Sequence, residues 1–104
     1  MPDKIRLDFQ VLIYPEDDFW IAHCLETDLV GEGDTADEAM QTLIDISNVQ
    51  IQAAIDAGDL ASIFSPAPPD LWRAYAVGKE KQSKRPKRAI KSLNRLSVRE
   101  LAMA

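Results

Sequence analysis

The sequence has little of what several common kinds of site require. Its 104 residues include one cysteine and one histidine, which excludes an internal disulfide and leaves too few ligands for a usual zinc site. No apolar run approaches the roughly 18 residues of a membrane span, and the first residues lack a basic-then-apolar signal pattern. We therefore expect one domain in the cytoplasm, with no metal and no cofactor.

Basic residues are scarce in most of the chain. Residues 1–72 contain 15 acidic side chains and two basic ones, a net charge of −13, whereas residues 73–104 contain ten basic and two acidic ones, a net charge of +8. The formal total of −5 hides this division. It predicts an acidic body that attracts a cationic partner, followed by a basic segment.

Three short strands are predicted before any helix. Apolar side chains alternate through residues 4–14, an acidic turn with a proline follows, and residues 19–25 are apolar and aromatic. This pattern is typical of two antiparallel strands joined by a tight turn. Residues 29–33 read as a third strand that its glycines weaken.

A long helix is the clearest prediction. Thr35 and Glu38 have the spacing of a capping box, an apolar stripe of period 3.6 follows, and Gly58 can end the helix in the left-handed conformation. About 22 helical residues would cover one face of the sheet. A second apolar row predicts that the C-terminal segment or another subunit packs on this helix, so we expect a homo-oligomer; the row consists of Ile46, Val49 and Ala53.

Beyond residue 64 the composition changes. Three prolines within residues 65–70 forbid a regular helix or central strand there, and a short helix capped by Asp70 and anchored by Trp72 and Tyr75 is predicted next. The expected organisation has three parts: an α+β domain over residues 1–64, a proline-rich linker with an anchoring segment over 65–78, and a basic C-terminal arm over 79–104.

Three interpretations of the basic arm stay open. It can contact nucleic-acid phosphates, fold back on the acidic body, or remain solvated. It lacks an alternating strand pattern, and residues 89–95 and 97–103 read as two short helices. The nucleic-acid interpretation names five contact residues: Lys84, Arg85, Lys87, Arg88 and Lys91.

The stretch from residue 14 to residue 39 resembles the HicB family, the antitoxins of HicA–HicB toxin–antitoxin pairs. The family pattern is an acidic hairpin turn, an aromatic-rich strand and a Gly-x-Gly-Asp-Thr segment that opens a helix. The resemblance extends over about residues 4–58. Ten residues match in order: Trp20, Ala22, Cys24, Glu26, Gly31, Gly33, Asp34, Thr35, Glu38 and Ala39.

The resemblance implies a fold and a role. The fold is α+β and partly RNase H-like, with a small antiparallel sheet of three or four strands and one long helix on one face. The role is non-catalytic: a protein that binds and neutralises a small basic HicA-type toxin that cleaves mRNA. The alternative is an orphan regulatory or nucleic-acid-binding module. The expected toxin-binding residues are Glu16, Asp17, Asp18, Trp20, Glu26, Asp28 and Glu32.

Each motif that could indicate catalysis or ligand binding also has a simpler structural explanation. His23 and Cys24 are adjacent on a strand and so point to opposite faces, which favours Cys24 in the core and His23 at a surface or subunit boundary. The pair Gly31 and Gly33 lacks the rest of a dinucleotide fingerprint and indicates a bulge or a close approach of strand to helix. A two-metal nuclease would need converging carboxylates, and the candidates fall mainly where acids are favoured anyway: Asp8, Glu26, Asp28, Asp34 and Asp45.

Overall fold

The computed structural model describes residues 7–80 and 93–100 and shows an α+β fold. Its described strands form one five-stranded sheet in the order β3-β2-β1-β5-β4, with one described α-helix packed on each face. The elements in chain order are β1 (Leu7–Glu16), β2 (Phe19–Cys24), β3 (Val30–Gly33), α1 (Ala36–Asp56), a 3₁₀ helix (Leu60–Ile63), α2 (Pro69–Val77), β4 (Lys79–Glu80) and β5 (Leu93–Glu100).

The three N-terminal strands confirm the predicted antiparallel sheet. β1 pairs with β2 from Val11 opposite Cys24 to Glu16 opposite Phe19, and β2 pairs antiparallel with β3. Alternation along β1 divides its side chains between the two faces of the sheet. Phe9 and Val11 are almost fully buried against α1, while Leu12 is fully buried on the opposite face.

The last strand corrects the prediction for the C-terminal part of the chain. Residues 93–100 form β5, which lies beside β1 and runs parallel to it, and β4 pairs antiparallel with β5. The expected arm without a strand is therefore wrong for these residues, and the sheet has five strands instead of three or four. A register shift beside Leu7 interrupts the apolar alternation that would indicate this strand: Leu7 pairs with Leu93, but Phe9 pairs with Leu96, so β5 has one extra residue between these partners.

Both ends of α1 follow the sequence. The Glu38 backbone N–H donates to Thr35 Oγ1 (3.1 Å), and Glu38 Oε2 accepts from the Asp34 backbone N–H (2.9 Å). At the other end Gly58 has φ +69° and its N–H donates to the Ile55 carbonyl, while the Asp59 N–H donates to the Ala54 carbonyl. This is the Schellman arrangement, which satisfies the last carbonyls of the helix.

The two glycines of β3 let α1 approach the sheet closely. A Cβ at position 31 would lie 2.4 Å from the Leu43 backbone N and 2.5 Å from the Ala39 carbonyl oxygen. A Cβ at position 33 would lie 2.4 Å from the Ala39 backbone N. Of the two predicted explanations, a bulge or a close approach, the structure shows the close approach. The contact brings the buried row of α1, including Leu43, against the sheet.

The opposite face of the sheet is covered by the proline-rich segment and α2. The Ser65 and Ala67 N–H groups donate to the carbonyls of Glu26 and Leu25, so the predicted linker is hydrogen-bonded to the end of β2. Alternating prolines suit this arrangement because only every second residue must donate. The predicted short helix is confirmed as α2, where Trp72 Nε1 donates to the Ala67 carbonyl (3.1 Å).

Two details of the helices differ from the predictions. Asp70 is not the cap of α2, because the N-cap position is Pro68 and Asp70 lies in the first turn. On α1 the second apolar row is only partly covered by described residues: Ile46 is half-buried, whereas Val49 is 67% exposed and Ala53 is exposed. Neither helix in the described part of the chain combines the length and the apolar character that a bilayer span requires.

Candidate functional site

The turn between β1 and β2 carries three consecutive exposed carboxylates. Glu16 ends β1, and Asp17 and Asp18 form the turn. Asp17 has φ +48°, a left-handed conformation that aspartate tolerates better than most residues. The turn therefore places the predicted toxin-binding residues Glu16, Asp17 and Asp18 at one tip of the sheet.

Two further predicted toxin-binding residues, Glu32 and Asp28, lie on the face of the sheet that is opposite α1. Tyr14 pairs with Ile21, and Ile21 pairs with Glu32, so the three residues form one row across β1, β2 and β3. Neighbouring strands are about 4.8 Å apart. Glu32 is exposed in this row, and Asp28 is exposed in the loop that precedes β3.

Tyr14 reports the electrostatics of this face. Burial raises the pKa of the Tyr14 phenol, and the negative charges of Glu16 and Asp28 raise it further. The charges of Glu16 and Asp28 thus both act on the pKa of Tyr14, although 12 positions of sequence separate the two carboxylates. We use the name acidic face for five carboxylates: those of Glu16, Asp17, Asp18, Asp28 and Glu32.

The structure does not place Trp20 with the acidic face. Trp20 pairs with Gly33 in the sheet, and its half-buried ring packs against the core beneath α1. It lies on the other side of β2 from Ile21, whose partner is Glu32. A surface that uses Glu32 and the Asp28 loop therefore does not include Trp20.

Glu26 is committed to the backbone of β1. Its Oε1 accepts from the Gln10 N–H (2.7 Å), and the Leu25 N–H donates to the Gln10 carbonyl (2.9 Å). The carboxylate thus replaces the strand partner that Gln10 lacks beyond Cys24, the end of β2. Burial raises the pKa of Glu26, although its hydrogen bonds act in the opposite direction. The residue holds the sheet together and is not an exposed part of the acidic face.

A hydrogen bond joins the side chains of His23 and Asp28, and the sequence does not predict it. Asp28 has φ +59°, and its N–H donates to the Cys24 carbonyl, so the loop folds back and brings Asp28 Oδ1 to 2.6 Å from His23 Nε2. The only sequence signal is an aspartate in a tight turn, because no period-2 spacing joins positions 23 and 28. Thr27 supports the turn by accepting from the Leu29 N–H.

His23 and Cys24 occupy opposite faces, as predicted. Cys24 is fully buried in the core beneath α1, and burial raises the pKa of its thiol. The expectation that His23 lies at a surface or subunit boundary does not hold in the described part of the chain: the residue is 9% exposed, and its buried Nδ1 has no hydrogen-bond partner among the described residues. The two side chains do not form a nucleophile–base pair.

The predicted nucleic-acid contacts Lys84, Arg85, Lys87, Arg88 and Lys91 lie outside the described residues. The ends of the segment that contains them are described: β4 ends at Glu80 and β5 begins at Leu93. The basic residues are therefore joined at both ends to strands of the same sheet.

The carboxylates considered for a nuclease are dispersed. Asp8 is exposed on β1, Asp34 donates its N–H within the α1 cap, and Asp45 accepts from Gln41 on α1. Within the described residues, no group of three or more His, Cys, Asp or Glu side chains is placed to hold a metal ion.

Comparison with known proteins adds no relative to this description. No protein-family model matches the chain, and neither a curated protein nor a solved structure matches it.

Proposed function

We propose that this protein is a HicB-like antitoxin, a non-catalytic cytoplasmic protein that neutralises a small basic HicA-type toxin. The observation that carries the proposal is the charge of the acidic face and its surroundings. Residues 7–78 contain 14 carboxylates and one basic side chain other than histidine, Arg73, for a net charge of −13. Such a charge opposes compaction by self-repulsion and favours a cationic partner.

The strand order supports the same family. An antiparallel three-stranded unit is followed by a long helix and then by β5, which is parallel to β1. Under the proposal this is a partial RNase H-like arrangement. The fold does not by itself imply a function, so the proposal depends on the acidic face. We extend it to a homo-oligomer, because Val49 on α1 is largely exposed.

The direct test takes as candidate toxin any small basic protein whose gene lies beside the gene for this chain. Co-purification of the two proteins and loss of the toxin's RNA cleavage are the expected results. Neutralising the turn with Glu16→Gln, Asp17→Asn and Asp18→Asn should weaken binding, and binding should weaken as ionic strength rises because exposed charges are screened. The proposal fails if the neighbouring basic protein cleaves RNA equally well with and without this chain.

A matched control removes the same number of charges elsewhere. Asp45, Asp56 and Asp59 are exposed on or just beyond α1, and the carboxylates of the first two accept from the side chains of Gln41 and Gln52 on the same helix. Their change to asparagine should leave binding much closer to wild type than the change at the turn. Equal losses in the two triple variants would show that total charge, and not the acidic face, attracts the toxin.

The second candidate function is nucleic-acid binding by the basic segment. It is favoured by the six basic and no acidic residues in positions 81–92, a segment joined at its two ends to β4 and β5. The test changes Lys84, Arg85, Lys87 and Arg88 to glutamine in the full chain and compares the gel shift of nucleic acid by this variant with that by the wild-type chain. Truncation after Gly78 would not be informative, because it would also remove β5 from the sheet.

A further inference from the structure

The outer edge of β3 has backbone groups that no described residue uses. In an antiparallel pair, successive residues alternate between bonding to the partner strand and pointing away from it. The Cys24 N–H donates to the Leu29 carbonyl (2.9 Å), which fixes the phase of this alternation. Continuing the register, Gly31 and Gly33 bond to β2, whereas Val30 and Glu32 direct their N–H and C=O groups outward.

Both ends of this open edge are closed by the chain itself. The Asp34 N–H is taken by Glu38 Oε2, and the Asp28 N–H is taken by the Cys24 carbonyl. The open segment therefore extends from Val30 to Glu32 and offers two donors and two acceptors. Short, charged edge strands are a common protection against unwanted pairing, and Glu32 supplies that charge here.

The side chains along this edge specify the chemistry of a strand that could pair with it. Val30 is 37% exposed and offers an apolar contact, while Glu32 and Asp28 are exposed carboxylates. Two copies of the same edge would bring like charges together, which disfavours a second copy of this chain as the occupant. A strand with basic side chains would instead gain both backbone bonds and opposite-charge pairs.

We propose that the β3 edge, Val30 to Glu32, accepts an extended basic segment of a partner protein as an added strand of the sheet. Strand addition derives affinity from main-chain hydrogen bonds and specificity from side chains. For the identity of the partner this rests on the proposed function, in which the partner is the basic toxin. The pairing itself is tested without the toxin.

The experiment titrates the full chain with a short peptide of alternating lysine and valine. Amide exchange at Val30 and Glu32 should slow by about tenfold or more on binding, because free outward amides become hydrogen-bonded. A peptide of the same charge interrupted by proline and an alternating glutamate–valine peptide serve as controls. Equal binding of the proline-interrupted peptide, no binding of the lysine–valine peptide, or slow exchange of both amides in the free chain at high concentration would overturn the proposal.

Two variants separate the backbone contribution from charge. Glu32→Pro removes an outward donor without removing a bond to β2, and Glu32→Gln removes the charge but keeps the donor. Glu32→Pro should bind the lysine–valine peptide about tenfold more weakly than Glu32→Gln, the effect of losing one backbone hydrogen bond. Equal affinities of the two variants would contradict strand addition. If Glu32→Pro does not fold, the amide exchange of the wild-type chain still decides the question.

The outcome for the toxin remains distinguishable. A chain that neutralises the toxin without slower exchange at Val30 and Glu32 is an antitoxin that uses another surface. A chain that binds the lysine–valine peptide at this edge but no toxin has the edge site without the proposed function.

Discussion

Replacing Gly31 by alanine tests how closely α1 must approach β3. The new Cβ would lie 2.4 Å from the Leu43 backbone N, 2.5 Å from the Ala39 carbonyl oxygen and 2.9 Å from the Leu43 Cα. An ordinary contact begins at 3.4 Å, so the helix and the strand must separate by about 1 Å. Backbone atoms of a helix cannot rotate away as the end of a side chain can.

The expected cost follows from what that separation does to the core. α1 also buries Met40, Ile44 and Ile51 against the sheet, so moving the helix loosens contacts on both sides of the clash. Overpacking of this kind usually costs about 1–3 kcal/mol, and a clash with helix backbone belongs at the upper end. Alanine recovers less than about 1 kcal/mol by restricting the unfolded chain. We expect a net loss of roughly 2–3 kcal/mol and a melting temperature lower by about 10–20 °C.

Thermal and urea unfolding followed by circular dichroism measure this loss, with Gly58→Ala as the matched glycine control. Gly58 has φ +69°, but a Cβ added there would have no atom within 4 Å, so alanine at this position should cost about 1 kcal/mol from backbone conformation alone. Adding Ala39→Gly to Gly31→Ala should not restore stability, because the clash is with the Ala39 carbonyl. A Gly31→Ala variant as stable as Gly58→Ala would refute the reasoning.

Glu26, the cap at Thr35 and the strand β5 each offer a further test of the described contacts. Glu26→Gln should match or exceed wild-type stability at neutral pH, because an amide oxygen can still accept from the Gln10 N–H. The pKa of Glu26 is raised in the folded chain, so the folded wild-type chain binds more protons than the unfolded chain. Any stability advantage of the wild type at acidic pH should therefore disappear as pH rises through that pKa, which urea unfolding at a series of pH values measures. Thr35→Ala should cost about 1 kcal/mol through the α1 cap, whereas Thr42→Ala, which removes only a bond to the Glu38 carbonyl, should be near neutral in the same assay. A chain ending at Gly78 should lose cooperative unfolding, since β1 would lose its partner strand β5. An unfolding transition of the truncated chain as sharp as that of the wild type would contradict the described sheet.

The sequence predicts those parts of the fold whose signals are local. The capping box at Thr35, the glycine after α1 and the alternation along β1 each depend on residues close in the chain, and all three are confirmed. β5 could not be found in this way. Its partner β1 lies more than 80 positions earlier, and the register shift beside Leu7 disturbs the alternation that would have revealed it.

The candidate site also combines local features that the sequence predicts with loop contacts that it does not. The exposed turn of Asp17 and Asp18 follows from turn chemistry, which places acids at the surface. The bond from His23 to Asp28 and the bond from Gln10 to Glu26 depend on how the loop after β2 folds back, and composition does not specify that path. Consequently the sequence groups Glu26 with the acidic residues of the surface, whereas the structure uses it to complete the ladder of β1.

The position of β5 also changes how the acidic part of the chain (residues 1–72) and the basic part (residues 73–104) are related. An acidic body with a separate basic arm could lose the arm and keep its fold. Here the strand that follows the basic residues lies beside β1, in the interior of the sheet order, while the acidic turn and the β3 edge lie toward the other side. The acidic face therefore depends on a sheet to which the basic part of the chain contributes β5. Any partner that bound the basic segment strongly enough to pull β5 from the sheet would also disturb β1, the strand that carries Glu16 and supports the β2–β3 edge.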